Sequence, residues 1–131
     1  MLTAVYCGVP GSYAEEAALL YFGEAAELIT AGSFQNAFDQ LRDGAADRAV
    51  VPIENSSTGA IAAVYDLLGR YGFSIVGEQY VRVRHCLLAK PGTELSDIRE
   101  VVSHEQALGQ CAEFIKTLGS GVKVTVCENT A

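Results

Sequence analysis

The chain alternates short apolar, β-branched runs with stretches of helical periodicity. Thr3–Tyr6 reads as a first strand and Gly8–Gly11 as a turn. Ser12 then opens a helix, with Glu15 three residues on in a capping box and Gly23 as its stop after Phe22. Glu27–Thr30 reads as a second strand. Ser33 caps a second helix in which Phe34, Ala37, Phe38 and Leu41 share one face. Ala49–Ile53 is almost wholly apolar, as a strand buried on both faces of a parallel sheet should be. Ile61–Leu68 reads as a third helix, ending near Gly69 and Gly72. This order predicts an α/β fold with right-handed crossovers.

The second part has a different rhythm. Phe73–Gln79 and Val81–Ala89 are two strand-like runs close together. In the second, Val81, Val83, His85 and Leu87 alternate with Arg82, Arg84 and Cys86, a period of two. Lys90-Pro91-Gly92-Thr93 is a turn, Glu100–Val102 a short strand, His104–Leu118 a helix and Lys123–Cys127 a last strand. The change of pattern near Gly77–Tyr80 marks a hinge, with one lobe at about 1–77 and another at about 78–131.

Composition narrows the function classes. The 131 residues are half apolar and 19% charged, an ordinary globular balance. A formal net charge of −7 repels nucleic acid and anionic membrane, so neither is expected as a partner. No run approaches the ~18 apolar residues of a membrane span, and the opening residues lack the basic n-region of a signal peptide. Cys7, Cys86, Cys111 and Cys127 form no Cys-x-x-Cys pair, and the two histidines complete no zinc ligand set. They read as reduced thiols in a cytoplasmic protein, each a small buried apolar residue.

The candidate chemistry follows the strands directly. Gly8-Val9-Pro10-Gly11-Ser12 follows the first, Glu54-Asn55-Ser56-Ser57-Thr58-Gly59 the third, and Ser103-His104-Glu105-Gln106 the one that begins at Glu100. Ligands of open α/β sheets bind beyond the carboxyl ends of strands. Each cluster leads toward a helix, whose first turn favours a carboxylate or phosphate. A small dianionic ligand held between lobes fits this arrangement. Plainer readings stand beside it. Gly-x-x-Gly-Ser is an ordinary turn and cap, and no Gly-Lys-Ser/Thr follows to make a P-loop. Ser103 with Gln106 fits a capping box, and His104 a solvated or capping histidine. Gln110, about two helical turns after Ser103, faces the same cleft or is simply a surface residue. Asn55 lies in a run too polar for a strand and richer in donors than a turn requires.

These clusters carry a resemblance. Gly8-Val9-Pro10-Gly11-Ser12-Tyr13-Ala14, Val51-Pro52-Ile53-Glu54-Asn55-Ser56 with Gly59, and Ser103-His104-Glu105-Gln106-Ala107-Leu108-Gly109-Gln110-Cys111 resemble successive motifs of the prephenate dehydratase family. Glu105 stands where the family usually has proline. Asn129-Thr130-Ala131 is similar to the start of a further motif, and the matches are collinear over the whole chain. The resemblance implies a two-lobed α/β fold like type II periplasmic binding proteins, with the substrate in the cleft. It implies a carbon-oxygen lyase that converts prephenate to phenylpyruvate, water and carbon dioxide, on the route to phenylalanine. No metal and no organic cofactor is called for. Carried over by motif, Asn55, Ser103 and Gln110 bind or orient substrate, with Glu54 and Thr130 as lesser candidates.

The family continues past this point with a Thr-Arg-Phe motif, whose threonine assists dehydration, and usually with a regulatory ACT domain. The chain therefore looks like a truncated catalytic domain, 1–131, with its second lobe incomplete and no catalytic residue of its own. On that expectation it is inactive alone and pairs as a homodimer or higher homo-oligomer. The opening is also similar to bacterial forms in which a chorismate mutase segment precedes the dehydratase. Two other readings remain open: arogenate dehydratase, and a non-catalytic module that binds a small carboxylate.

Overall fold

The computed structural model describes residues 1–56 and 59–128. Two compact units divide the chain, the first running Met1–Arg82 and the second beginning at Val83. The expected α/β class holds in both.

In the first unit, β1 (Leu2–Cys7) is the middle of a three-stranded parallel sheet, between β2 (Ala26–Ala31) and β3 (Arg48–Val50). The register runs from Leu2↔Ala26 to Cys7↔Ala31 on one side and from Ala4↔Arg48 to Tyr6↔Val50 on the other. Ala4, Val5 and Tyr6 are consecutive and all buried, which requires cover on both sheet faces. The third strand is shorter than the apolar run predicts. Pro52 has no N–H to donate, so the ladder cannot run on through Ile53. At its other end, Asp47 clamps the sheet: its N–H donates to Thr3 O at 2.8 Å, and its carboxylate accepts from the Thr3 N–H at 2.8 Å.

Three helices pack in this unit. α1 (Tyr13–Phe22) is capped by Ser12, whose hydroxyl accepts from the Glu15 N–H, and stops at Gly23 with φ 56°. α2 (Phe34–Arg42) is capped in the same way by Ser33 onto the Asn36 N–H at 3.1 Å. α3 (Ala62–Tyr71) runs past Gly69 and ends at left-handed Gly72, because Leu67, Leu68 and Tyr71 are all drawn into the core. Ala37 joins Val5, Ala31 and Ala46 in one buried cluster, and Phe38 joins Val64 and Leu67 in a second. Phe38, Tyr71 and Phe73 close the second cluster, with ring centroids 5.4–5.9 Å apart.

Between β3 and α3 lies a two-residue antiparallel hairpin, β4 (Glu54–Asn55) with β5 (Gly59–Ala60). Glu54 and Asn55 are therefore strand after all. They pair with Ala60 and Gly59, and Gly59 sits at φ 76°, a conformation that favours glycine.

In the second unit, β6 (Glu100–Ser103) and β7 (Lys123–Val126) pair in parallel, from Glu100↔Lys123 to Ser103↔Val126. The single helix expected over 104–118 is two: α4 (Glu105–Gln110) and α5 (Ala112–Thr117). The backbone leaves helical geometry at Cys111, φ −100° and ψ 7°, just after Gly109 weakens the turn. Val101, Ala107 and Leu108 form the buried side of strand and helix.

The strand-like runs 73–79 and 81–89 join no ladder among the described residues. The second run alternates with a period of two, but a strand also needs a neighbour to pair its N–H and C=O groups. Ile75, Val76, Tyr80 and Leu88 are exposed as a result.

Candidate functional site

The loop after β1 is held by its own chain. Gly8 sits at φ 138° and Gly11 at φ 88°, conformations that favour glycine. The Gly8 N–H donates to Ala31 O at 3.0 Å and the Ser12 N–H to Val9 O at 3.1 Å. The Glu15 carboxylate accepts from the Gly11 N–H at 2.7 Å and from the Tyr6 hydroxyl at 3.0 Å. The expected capping box is thus shifted by one residue, since Glu15 reaches Gly11 rather than the Ser12 backbone. The Gly8, Gly11 and Ser12 N–H donors are thus already used, and a carboxylate stands among them. Burial first, and then the Glu15 hydrogen bond and charge, push the Tyr6 hydroxyl above its ordinary pKa. Sequence reading missed Tyr6 and identified Glu15 only as a cap partner. The signal for Tyr6 was a hydroxyl in an otherwise apolar strand.

Glu54 and Asn55 lie on the β4–β5 hairpin of the first unit, Glu54 exposed and Asn55 half-buried. The helix that follows is capped by Ile61, which makes no side-chain cap bond. Asn55 is therefore presented by a hairpin and not by a helix N-terminus. The hairpin is fixed to the chain before it, with the Ile61 N–H donating to Ile53 O at 3.0 Å.

Ser103 and Gln110 belong to the second unit. Ser103 ends β6, half-buried, and its carbonyl accepts from the Cys127 N–H at 2.9 Å. With Ser103 in the ladder, the next residue takes the cap. His104 Nδ1 accepts from the Gln106 N–H at 3.2 Å, so the expected Ser103–Gln106 box does not form. An acceptor at Nδ1 places the ring proton on Nε2. Gln110 is the exposed last residue of α4, and its Oε1 is 2.6 Å from His85 Nε2. Thr130 lies outside the described residues, as does the rest of the Asn129-Thr130-Ala131 segment.

Other features add little chemistry. A surface depression of about 360 Å3 is lined by Arg42, Arg70, Tyr71 and Phe73. It sits at the negative ends of α2 and α3, and Arg42 is already bridged to Asp39 and Asp43. Among the described residues, no three His, Cys, Asp or Glu side chains gather as metal ligands would. No described helix is long and apolar enough to cross a membrane. The four cysteines are unbridged, and burial pushes the Cys7 thiol up.

The prephenate dehydratase family model matches residues 4–131. The chain belongs to the prephenate dehydratase family. It is 46% identical over 114 residues to arogenate dehydratase/prephenate dehydratase 2, chloroplastic, of Arabidopsis thaliana, covering 87% of this chain and 30% of that protein. Among solved structures, a prephenate dehydratase from Arthrobacter aurescens in complex with L-Phe matches with a TM-score of 0.72 and 28% identity, over 98% of this chain and 42% of that one. A structure described as a novel type of quorum-quenching acylase matches with a TM-score of 0.80 and 31% identity, over 97% of this chain and 45% of that one. The chain thus spans about three-tenths of the length of the curated relatives it matches. Its α/β fold is that of the prephenate dehydratase structure.

Proposed function

We propose that this chain belongs to a lyase that removes water and carbon dioxide from prephenate to give phenylpyruvate, in phenylalanine biosynthesis. The observation that carries the reading is the family match over residues 4–131, which takes in the hairpin bearing Asn55, Ser103 at the end of β6 and Gln110 at the end of α4.

The chemistry asks for positioning more than for apparatus. The bond from the ring to its carboxylate breaks, and its electron pair enters the ring. The ring hydroxyl leaves as water on gaining a proton, and aromatisation drives the step. The protein must hold the two carboxylates and lend a hydrogen bond or proton to the departing oxygen. Amide and hydroxyl donors on Asn55, Ser103 and Gln110 suit the carboxylates, with Glu54 and Thr130 in lesser roles. A threonine beyond Ala131 is proposed to help the hydroxyl depart.

Arogenate differs from prephenate only in its side chain, and the Arabidopsis relative bears both names, so it is the second substrate to consider. That relative is also described as chloroplastic, so a cytoplasmic location is a proposal for this chain alone.

The test is turnover of prephenate and of arogenate by the full-length gene product, followed as phenylpyruvate and phenylalanine. Prephenate turnover is expected. Saturable binding of either acid without turnover would favour the non-catalytic module.

A further inference from the structure

We infer that Glu15 is a positioning residue, which holds the loop after β1 as one wall of the substrate crevice. The inference rests on the dehydratase reading and deepens it. β1 lies between β2 and β3, so the chain goes to one side of β1 first and then crosses to the other. Where strand order reverses in this way, a crevice opens at the carboxyl ends of the two strands, and open α/β sheets bind ligands there. Here those strands are β1 and β3. Residues 8–12 leave the end of β1, and residues 51–53 leave the end of β3 for the hairpin bearing Asn55.

The loop takes its shape from one carboxylate. Glu15 Oε2 accepts from the Gly11 N–H at 2.7 Å, and Oε1 accepts from the Tyr6 hydroxyl at 3.0 Å. Tyr6 is buried in the central strand, so its ring is a fixed post. Glu15 ties the turn to that post. Without the tie, two glycines at positive φ leave the turn free to sample other backbone shapes. The ends of the loop already approach each other closely: a Cβ at Gly8 would stand 3.0 Å from Ser12 Oγ. Capping of α1 asks for none of this. Ser12 caps the helix through the Glu15 N–H, which leaves the Glu15 side chain to the loop. Both carboxylate oxygens accept within the protein, so Glu15 acts on substrate through the loop.

The experiment compares Glu15→Ala, Glu15→Gln, Tyr6→Phe, the Tyr6→Phe/Glu15→Ala double variant and Asp47→Ala in the full-length gene product, with prephenate and arogenate. Glu15→Ala is expected to raise KM about tenfold, the scale of one hydrogen bond to a charged group, with kcat little changed. Glu15→Gln keeps an oxygen for the Gly11 N–H and offers its NH2 to the Tyr6 oxygen, so it should recover most of the loss. Tyr6→Phe should raise KM about threefold, and in the Glu15→Ala background it should add nothing. Asp47→Ala is the control for stability alone. It removes the Thr3 clamp at the amino end of the same sheet, away from the crevice, and should lower the melting temperature without raising KM. A loss confined to kcat, no recovery with Glu15→Gln, or a rise in KM with Asp47→Ala that matches Glu15→Ala would overturn the inference while leaving the dehydratase reading intact. If Glu15→Ala does not fold, Tyr6→Phe decides, and an unchanged KM there overturns the inference. Wild-type protein that turns over neither acid would overturn the dehydratase reading, and this inference with it.

Discussion

Single residues decide how each junction is held. Ser12 and Ser33 cap their helices as their spacing predicts, because nothing else competes for them. Ser103 also precedes a helix, but its backbone is taken by β7, and His104 caps instead. A capping pattern in sequence cannot register a competing strand bond from 24 residues away. This bears on the site. As a cap, His104 acts on the backbone of α4, so His104→Gln in the active enzyme should cost less catalytic efficiency than Asn55→Ala. The latter removes a donor, at about 1–3 kcal/mol if substrate meets it in a dry site. Kinetics on both variants check the order, and a larger loss at His104 would give it an acid or base role. Tyr6 carries a separate prediction. Its folded pKa is raised, so the folded state keeps the phenol proton to higher pH than the unfolded chain does. That contribution is fully present below about pH 10, the unfolded tyrosine value, and is lost as pH rises through the folded one. Tyr6→Phe should cost about 0.5–1.5 kcal/mol at neutral pH and flatten the alkaline loss of stability. Urea unfolding at neutral pH and at about pH 11 measures both effects. An alkaline slope unchanged in the variant would assign the burden elsewhere.

Elements were legible where local pattern and tertiary contact agree. β1, β2, α1 and α2 lie within a residue or so of their expected ends, since caps, glycine stops and apolar faces all point one way. The hairpin at Glu54–Asn55 was not legible, because two-residue strands leave no periodicity to read. Nor was the break at Cys111, for the sequence over 104–118 keeps its helical pattern across it. The β6–β7 pair shows how register brings charge together. Glu100 lies opposite Lys123, and its carboxylate meets the Lys123 ammonium at 3.0 Å as well as the Thr125 hydroxyl. The Thr125 hydrogen bond first, then Lys123, holds the Glu100 carboxyl below its usual range. Its contribution is therefore present above the unfolded glutamate value, about 4.3, and is lost as pH falls through the lower folded value. Glu100→Gln should leave a protein whose acid unfolding loses that part of its pH dependence, with little change at neutral pH, because the pair is exposed and screened. Acid titration of the circular dichroism signal would show it. Identical acid midpoints for both proteins would mean that the pair is already open in solution.

At the scale of the molecule, charge and exposed apolar surface pull in opposite directions. The segment between the last helix of the first unit and the 3-10 turn at Leu95–Asp97 exposes Ile75, Val76, Tyr80 and Leu88, the last two by 82% and 86%. Apolar side chains in a segment with no ladder gain by meeting another surface, and so do its backbone groups. A net charge of −7 opposes the meeting of two copies. Added salt screens that repulsion, with a Debye length falling from about 10 Å at 0.1 M to about 3 Å at 1 M. It leaves the apolar gain in place. The 131-residue chain is therefore expected to self-associate with rising concentration, and more strongly at high salt. Association held by ion pairs would weaken under the same conditions. Sedimentation velocity at several concentrations and two ionic strengths distinguishes the cases. Leu88→Lys should weaken association, since it places a charge at the most exposed aliphatic side chain of the segment. Monomers at every concentration would show that these side chains find cover within their own chain in solution. Association unaffected by Leu88→Lys would move the contact to another face, such as the exposed Leu19, Leu20 and Tyr21 of α1.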